Sequence, residues 1–262
     1  MKKYELGFIG LGKMGSAILS GVIKNNIYDV KDICFYDING SASTFNIDLL
    51  EDEKSVFSAS KKVILAIKPQ VFDEVLEKVK GSKYDCTIIS IAAGVKIEKI
   101  KAYLGDLEYI RVMPNTPFMI SKGSCAMARE KSVSDKTFDE VKKIFESISY
   151  VAKVNEEDMD AVVAASGSLP AYLYLFSKVF IEEAIKKGLS EDTAKKLVTN
   201  SIIGSSYMIQ ESDKSIDELI KDVCSPKGTT LEGLKQLEEN DFEDILRKCF
   251  KACYDRSVEL GK

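Results

Sequence analysis

Residues 4–15, YELGFIGLGKMG, constrain this chain more than any other stretch. Leu6, Phe8 and Ile9 carry the apolar pattern of a buried strand. Gly10, Gly12 and Gly15 follow as G-x-G-x-x-G, and residues 16–23 continue at helical period. A strand, a glycine turn and a helix in that order are what a dinucleotide fingerprint requires. Gly10 permits the tight turn. Gly12, lacking a side chain, lets a pyrophosphate approach the backbone, and Gly15 lets the helix pack close to the strand. The free N–H groups and positive dipole end of the helix then favour the phosphates. A glycine turn with no ligand is the plain alternative.

The bulk properties exclude several classes. The 262 residues suffice for two compact domains or one large one, and 45% hydrophobic with 30% charged residues is ordinary for a globular protein. A net charge of -4 without a basic block points away from nucleic acid. Apolar runs such as residues 63–67 are strand-length, so no membrane span is expected, and the lack of a signal-peptide pattern places the protein in the cytoplasm. The six cysteines are scattered without a C-x-x-C motif, so no metal site is expected. The chain has no histidine, which removes histidine triads and histidine-ligated zinc. Any catalysis must work without imidazole.

Strand patterns recur through the first half. Residues 32–37 read as a second strand ending in Asp37, about twenty residues past the glycine turn, where a carboxylate can take an adenine ribose 2′-hydroxyl. That carboxylate would repel a 2′-phosphate and so favours NADH over NADPH. The alternative is a turn aspartate capping the Asn39-Gly40 corner. Residues 63–67, 86–91 and 109–113 read as parallel strands, ending at Lys68-Pro69, Ala92-Ala93 and Asn115. Residues 124–128 and 150–154 add two short strands around a helix at 134–148. The alternation predicts an α/β fold with a doubly wound sheet, its ligand beyond the carboxyl ends of the strands.

From residue 155 helical period takes over, through 173–187, 190–209, 216–223 and 229–260. The expected boundary therefore separates a dinucleotide-binding domain, 1–154, from an all-α domain, 155–262. Two loops interrupt the helical half. Residues 166–172 (SGSLPAY) are small and polar. Residues 224–230 (CSPKGTT) bring hydroxyls and free N–H groups to a helix start, a seat for a small carboxylate. Simple N-capping is the alternative for both.

At these residues the chain resembles the pyrroline-5-carboxylate reductases. The resemblance runs through GFIGxG at 7–12, KPQ at 68–70, SxAAG at 90–94, RxMPNTP at 111–117, MDAV at 159–162, SGSxPAY at 166–172, SPxGTT at 225–230 and RSxEL at 256–260. It implies an N-terminal Rossmann domain and a C-terminal helical dimerisation domain, in a homodimer that in the family is often assembled further into a decamer. It implies that Gly10, Leu11, Gly12, Lys13 and Met14 hold the pyrophosphate. Ile67, Lys68 and Pro69 would flank the cofactor, NADPH or NADH, with Ala92 and Ala93 near the nicotinamide and Asn115 on the cofactor side. Ser225, Gly228 and Thr229 would take the substrate carboxylate, the Thr230 hydroxyl would face the ring nitrogen, and Glu156 would stand on the substrate side. Leu169, Lys227 and Lys13 depart from the family pattern, and its ribose-side asparagine is not evident near Asp52 and Glu53.

The implied reaction is hydride transfer from NAD(P)H to the C=N carbon of 1-pyrroline-5-carboxylate, giving L-proline. A β-hydroxyacid dehydrogenase or related imine reductase shares the opening motif but needs a lysine one helical turn past the interdomain glycines. Here residues 170–174 contain none, and Lys178 lies too far along. A non-catalytic dinucleotide-binding sensor is the remaining alternative.

Overall fold

The computed structural model describes residues 3–40 and 45–261; Met1 and Lys2, included in the reading of the N-terminus, lie outside them. The chain forms two compact units, Met1–Pro170 together with Cys253–Lys262, and Ala171–Ala252. The chain crosses from one unit to the other within two helices, Leu169–Lys186 and Phe242–Leu260.

The first unit is built on β1 (Tyr4–Ile9), α1 (Lys13–Lys24), β2 (Ile33–Tyr36), β3 (Asp48–Leu49), α2 (Glu53–Ala59), β4 (Ser60–Leu65), α3 (Phe72–Val79), β5 (Thr87–Ser90), α4 (Ile97–Leu104), β6 (Glu108–Pro114), β7 (Ser124–Arg129), α5 (Asp135–Glu146) and β8 (Tyr150–Lys153). One sheet orders these strands β3-β2-β1-β4-β5-β6-β7-β8. All neighbours are parallel except β6 with β7. The order reverses between β1 and β4, the switch point at which α/β sheets bind ligands.

Period-two alternation sorts side chains onto two covered faces. Ile64, Ile89 and Ile110 pack with α1 and α5 through Ile18, Leu19, Phe138 and Ile144. Val63, Leu65 and Ile88 pack on the other face with Phe57, Phe72, Leu76 and Ile100. Helix α3 buries Phe72, Val75, Leu76 and Val79, one stripe at helical spacing.

Beyond β8 come α6 (Met159–Val162), a π-helical turn at Val163–Gly167, α7 (Leu169–Lys186), α8 (Glu191–Glu211), α9 (Ile216–Val223), α10 (Thr229–Glu239) and α11 (Phe242–Leu260). Two expectations need correction. Residues 166–172 are the end of a π-helical turn and the start of α7, with a bend at Ser168 between them, rather than a loop. Pro170 has no N–H to donate, and the helix widens just before it, with Ser168 N bonding Val163 O at 2.9 Å. The single helix expected over 229–260 is two helices. Asp241, at φ 52°, breaks it between α10 and α11.

In the second unit only Ala194 is fully buried among the described residues. Leu175, Phe180, Leu197, Ile203, Tyr207 and Ile209 are all more than half exposed. Among the described residues one helical stretch, Glu156–Lys186, is long and apolar enough to cross a membrane by length and composition.

Candidate active site

The expected cofactor residues lie together along one edge of the sheet. Residues 10–15 follow β1, Asp37 follows β2, Ile67, Lys68 and Pro69 follow β4, Ala92 and Ala93 follow β5, and Asn115 follows β6. Backbone bonds hold the edge: Gly10 N donates to Tyr36 O and Ala66 N to Ile9 O, both at 2.8 Å, and Ile91 N to Leu65 O at 3.3 Å.

Each glycine of the turn has a separate reason. Gly10 sits at φ +88°, and a Cβ there would stand 2.8 Å from Ala66 O. A Cβ on Gly15 would stand 2.7 Å from Gly10 O, so helix and turn pack too closely for a side chain. Around Gly12 nothing lies within 4 Å. The fold does not need a glycine there; open space for an incoming group does. Gly12 is the N-cap of α1 and gives no side-chain cap, so the first-turn N–H groups point out without side-chain partners. Leu11 is buried in the core, Met14 packs against it, and Lys13 is exposed. These features fit a dinucleotide pyrophosphate.

Asp37 does two things. Its Oδ1 accepts from Asn39 N at 2.8 Å, the corner-capping role, and its Oδ2 accepts from Leu11 N at 2.7 Å, tying the end of β2 to the glycine turn. Both oxygens keep lone pairs for a ribose hydroxyl. The Asn115 side chain is more fully occupied. Its Nδ2 donates to Ser124 Oγ at 3.2 Å and Ser166 Oγ at 3.3 Å, and its Oδ1 accepts from Ser124 N at 3.0 Å. It pins the turn after β6 to β7 and to the π-helical turn.

Glu156 has partners within its own unit. Its Oε1 accepts from Ile97 N, the first residue of α4, at 2.6 Å. The same oxygen lies 3.8 Å from Nη1 of Arg111, whose side chain is 2% exposed. Burial holds the Arg111 guanidinium below its ordinary pKa, while Glu156 and Asp160 oppose that shift. Asp160 Oδ1 in turn accepts from Ser257 Oγ of α11 at 2.5 Å. This cluster braces the loop that carries Ala92 and Ala93. The sequence carries Arg111, Asp160 and Ser257 inside three of the shared motifs, yet nothing in their spacing announces that they meet. A Cβ on Gly94 would stand 2.9 Å from Leu260 Cβ, so the end of α11 also packs on that loop.

The second unit holds the expected substrate loop between α9 and α10. Gly228 N donates to Ser225 O at 2.9 Å, closing a turn. A Cβ on Gly228 would stand 2.3 Å from Ser225 Oγ and 3.0 Å from Ser225 O, so a side chain there would force Ser225 to shift. Lys227 occupies the left-handed region at φ 58°, a conformation that favours glycine. Gly228 caps α10 without a side-chain bond, leaving the N–H groups of Thr229 and Thr230 directed outward at the dipole's positive end. Ser225 and Thr229 are exposed, and Gly228 and Thr230 partly so. The loop can receive a carboxylate and present a hydroxyl beside it.

Comparison with known proteins covers both units. The family model for pyrroline-5-carboxylate reductase dimerisation matches residues 156–260. That for coenzyme F420-dependent NADP oxidoreductases matches residues 5–94. The pyrroline-5-carboxylate reductase of Synechocystis is 34% identical, the alignment covering 98% of each chain. The Plasmodium falciparum pyrroline carboxylate reductase, solved with NADP bound, superposes over 100% of both chains with a TM-score of 0.92 at 32% identity. The Streptococcus pyogenes enzyme superposes over 97% of this chain and 98% of its own, with a TM-score of 0.90 at 28% identity. Glycine turn, sheet order, capless α10 and these full-length relationships agree, and the chain belongs to the pyrroline-5-carboxylate reductase family.

Proposed function

We propose that this chain is an NAD(P)H-dependent pyrroline-5-carboxylate reductase. It reduces 1-pyrroline-5-carboxylate to L-proline, the last step of proline synthesis. The observation that carries the reading is the 34% identity to a curated reductase over 98% of each chain. Ala92 and Ala93 would hold a dihydronicotinamide, which when bound would supply the hydride that the imine carbon takes up. The C=N π pair then moves onto nitrogen. The iminium starts charged, so the product nitrogen is neutral and needs no proton during transfer. A chain without histidine can therefore carry the reaction.

The protein's part is alignment, which alone can supply a large share of the rate. Residues 10–14 hold the pyrophosphate on uncapped N–H groups. Ile67, Lys68 and Pro69 flank the cofactor, with Asn115 fixing the neighbouring turn. Ser225, Gly228 and Thr229 hold the substrate carboxylate, and Thr230 orients the ring nitrogen. Glu156 acts on the substrate side through the helix it anchors. Asp37 favours NADH.

Residues 155–262 form the substrate-binding and dimerisation domain, following the match at 156–260. The exposed apolar side chains of α7 and α8 support a homodimer, with further assembly into a decamer, since a monomer rarely leaves so much apolar surface open. The same assembly accounts for the apolar Glu156–Lys186 stretch. The enzyme acts in the cytoplasm on a small imino acid. Proline-dependent reduction of NAD⁺ or NADP⁺ at high pH tests the reading. Its absence in folded, oligomeric protein would remove it in favour of a non-catalytic nucleotide binder.

A further inference from the structure

Beside Gly10 lies a cavity of about 120 Å³ between the ends of β1, β2 and β4 and helix α3. Ile38, Ile67 and Val71 give it apolar walls, suited to a flat base. Its charged lining is Asp37, Glu53, Glu74 and Lys78. Among the described residues, three carboxylates and one ammonium thus line it.

That ammonium is already committed. Lys78 Nζ lies 3.2 Å from Glu53 Oε1 and 3.2 Å from Glu74 Oε1. Glu53, the first residue of α2, has a side chain only 7% exposed, so water screens its charge weakly. Removing Lys78 from Glu53 would leave a buried carboxylate without a counter-charge. Two carboxylates already outweigh the lysine's single charge, so it offers a further anion little net attraction. A ribose 2′-hydroxyl meets acceptors here. A 2′-phosphate, carrying about -1.5 to -2 charges, meets three carboxylates of its own sign.

We infer that Glu53 determines cofactor specificity: by occupying Lys78 and lining the same cavity as Asp37, it selects the unphosphorylated dinucleotide. This rests on the reading of the glycine turn as a dinucleotide site. It adds a residue and a mechanism to the contribution of Asp37.

The test is calorimetric titration of the full-length protein with ADP-ribose and with 2′-phospho-ADP-ribose, which needs no turnover. The parent protein binds ADP-ribose more tightly by about tenfold or more, the scale of a like-charge clash. Glu53→Gln, of equal size, shrinks that ratio at least about tenfold by strengthening the phosphorylated ligand, whereas Glu53→Asp keeps it. Lys78→Met, which needs no refolded Glu53 variant, keeps the preference for ADP-ribose. Tighter binding of 2′-phospho-ADP-ribose to the parent, lost in Lys78→Met, would overturn the inference and make Lys78 a phosphate ligand. A Glu53→Gln effect equal for both ligands would reduce Glu53 to packing and also overturn it. ADP-ribose binding without discrimination sinks this inference alone; no binding of either ligand sinks the dinucleotide site as well.

Discussion

Replacing Glu156 by glutamine isolates one interaction in the brace beneath the Ala92–Ala93 loop. Glutamine keeps a carbonyl oxygen for Ile97 N, so the 2.6 Å hydrogen bond can survive. What disappears is the negative charge 3.8 Å from a guanidinium that is 2% exposed. At an effective dielectric constant near 20, two unit charges at that spacing attract by about 4 kcal/mol. Glu156 is about one-third exposed and Asp160 shares the balancing, so roughly half, about 2 kcal/mol, is the expected loss. For a unit of this size that lowers the melting temperature by roughly 4–8 °C.

Arg111→Met removes the charge that needs compensation, so the double variant Glu156→Gln/Arg111→Met melts above the sum of the single effects. The coupling, read as a thermal-melt cycle, is about 2 kcal/mol. Strictly additive melting shifts would show that Glu156 does not balance Arg111. A Glu156→Gln protein that melts with the parent but loses substrate affinity would give Glu156 a direct substrate role instead.

The remaining predictions concern the two loops and the exposed helices. Gly12→Ala keeps the parent's thermal stability within about 0.5 kcal/mol, since its Cβ meets nothing within 4 Å, yet weakens NADH binding at least about tenfold by calorimetry. Gly10→Ala, at φ +88° and 2.8 Å from Ala66 O, instead destabilises the fold by about 2 kcal/mol or more. Thr230→Ala lowers turnover and leaves NADH binding nearly intact; unchanged turnover would remove Thr230 from the site. Lys227→Gly relieves the left-handed backbone at φ 58° and stabilises its loop by about 1 kcal/mol, measured by urea unfolding. Phe180→Glu charges the ring pair that Phe180 forms with exposed Phe176 at 4.4 Å, and light scattering then reports a smaller assembly than the parent's.

The parts of the fold that the sequence displays are those whose local pattern and tertiary role agree. The run at 63–67 is apolar throughout because β4 is covered on both faces, and α3 shows its stripe because one face alone is buried. Strand β3, two exposed residues long, has no pattern to display. Helix α2 has only seven residues, and α4, as long as α3, buries just Ile97 and Ile100, so neither displays a stripe that periodicity can separate from loop. The break at Asp241 depends on a backbone angle that aspartate tolerates but does not signal. In the 166–172 segment Gly167, which read as a loop residue, ends a π-helical turn, and Pro170 sits in the first turn of α7.

The glycine turn was legible because Gly10 and Gly15 answer local steric demands, while Gly12 between them keeps open space. The occupations of Asn115 and Glu156 were not, because their partners Ser124, Ser166, Ile97 and Arg111 come from distant parts of the chain. The pairing of Glu53 with Lys78 across two helices is hidden for the same reason.

The central claim is that this fold passes hydride to a cyclic imine. The most direct measurement is oxidation of NADH and NADPH by the purified oligomer, with 1-pyrroline-5-carboxylate as acceptor and chiral identification of the product. The account predicts substrate-dependent oxidation with stoichiometric L-proline. Silence with the imine, together with NAD⁺ reduction on a 2-hydroxy acid, would contradict it.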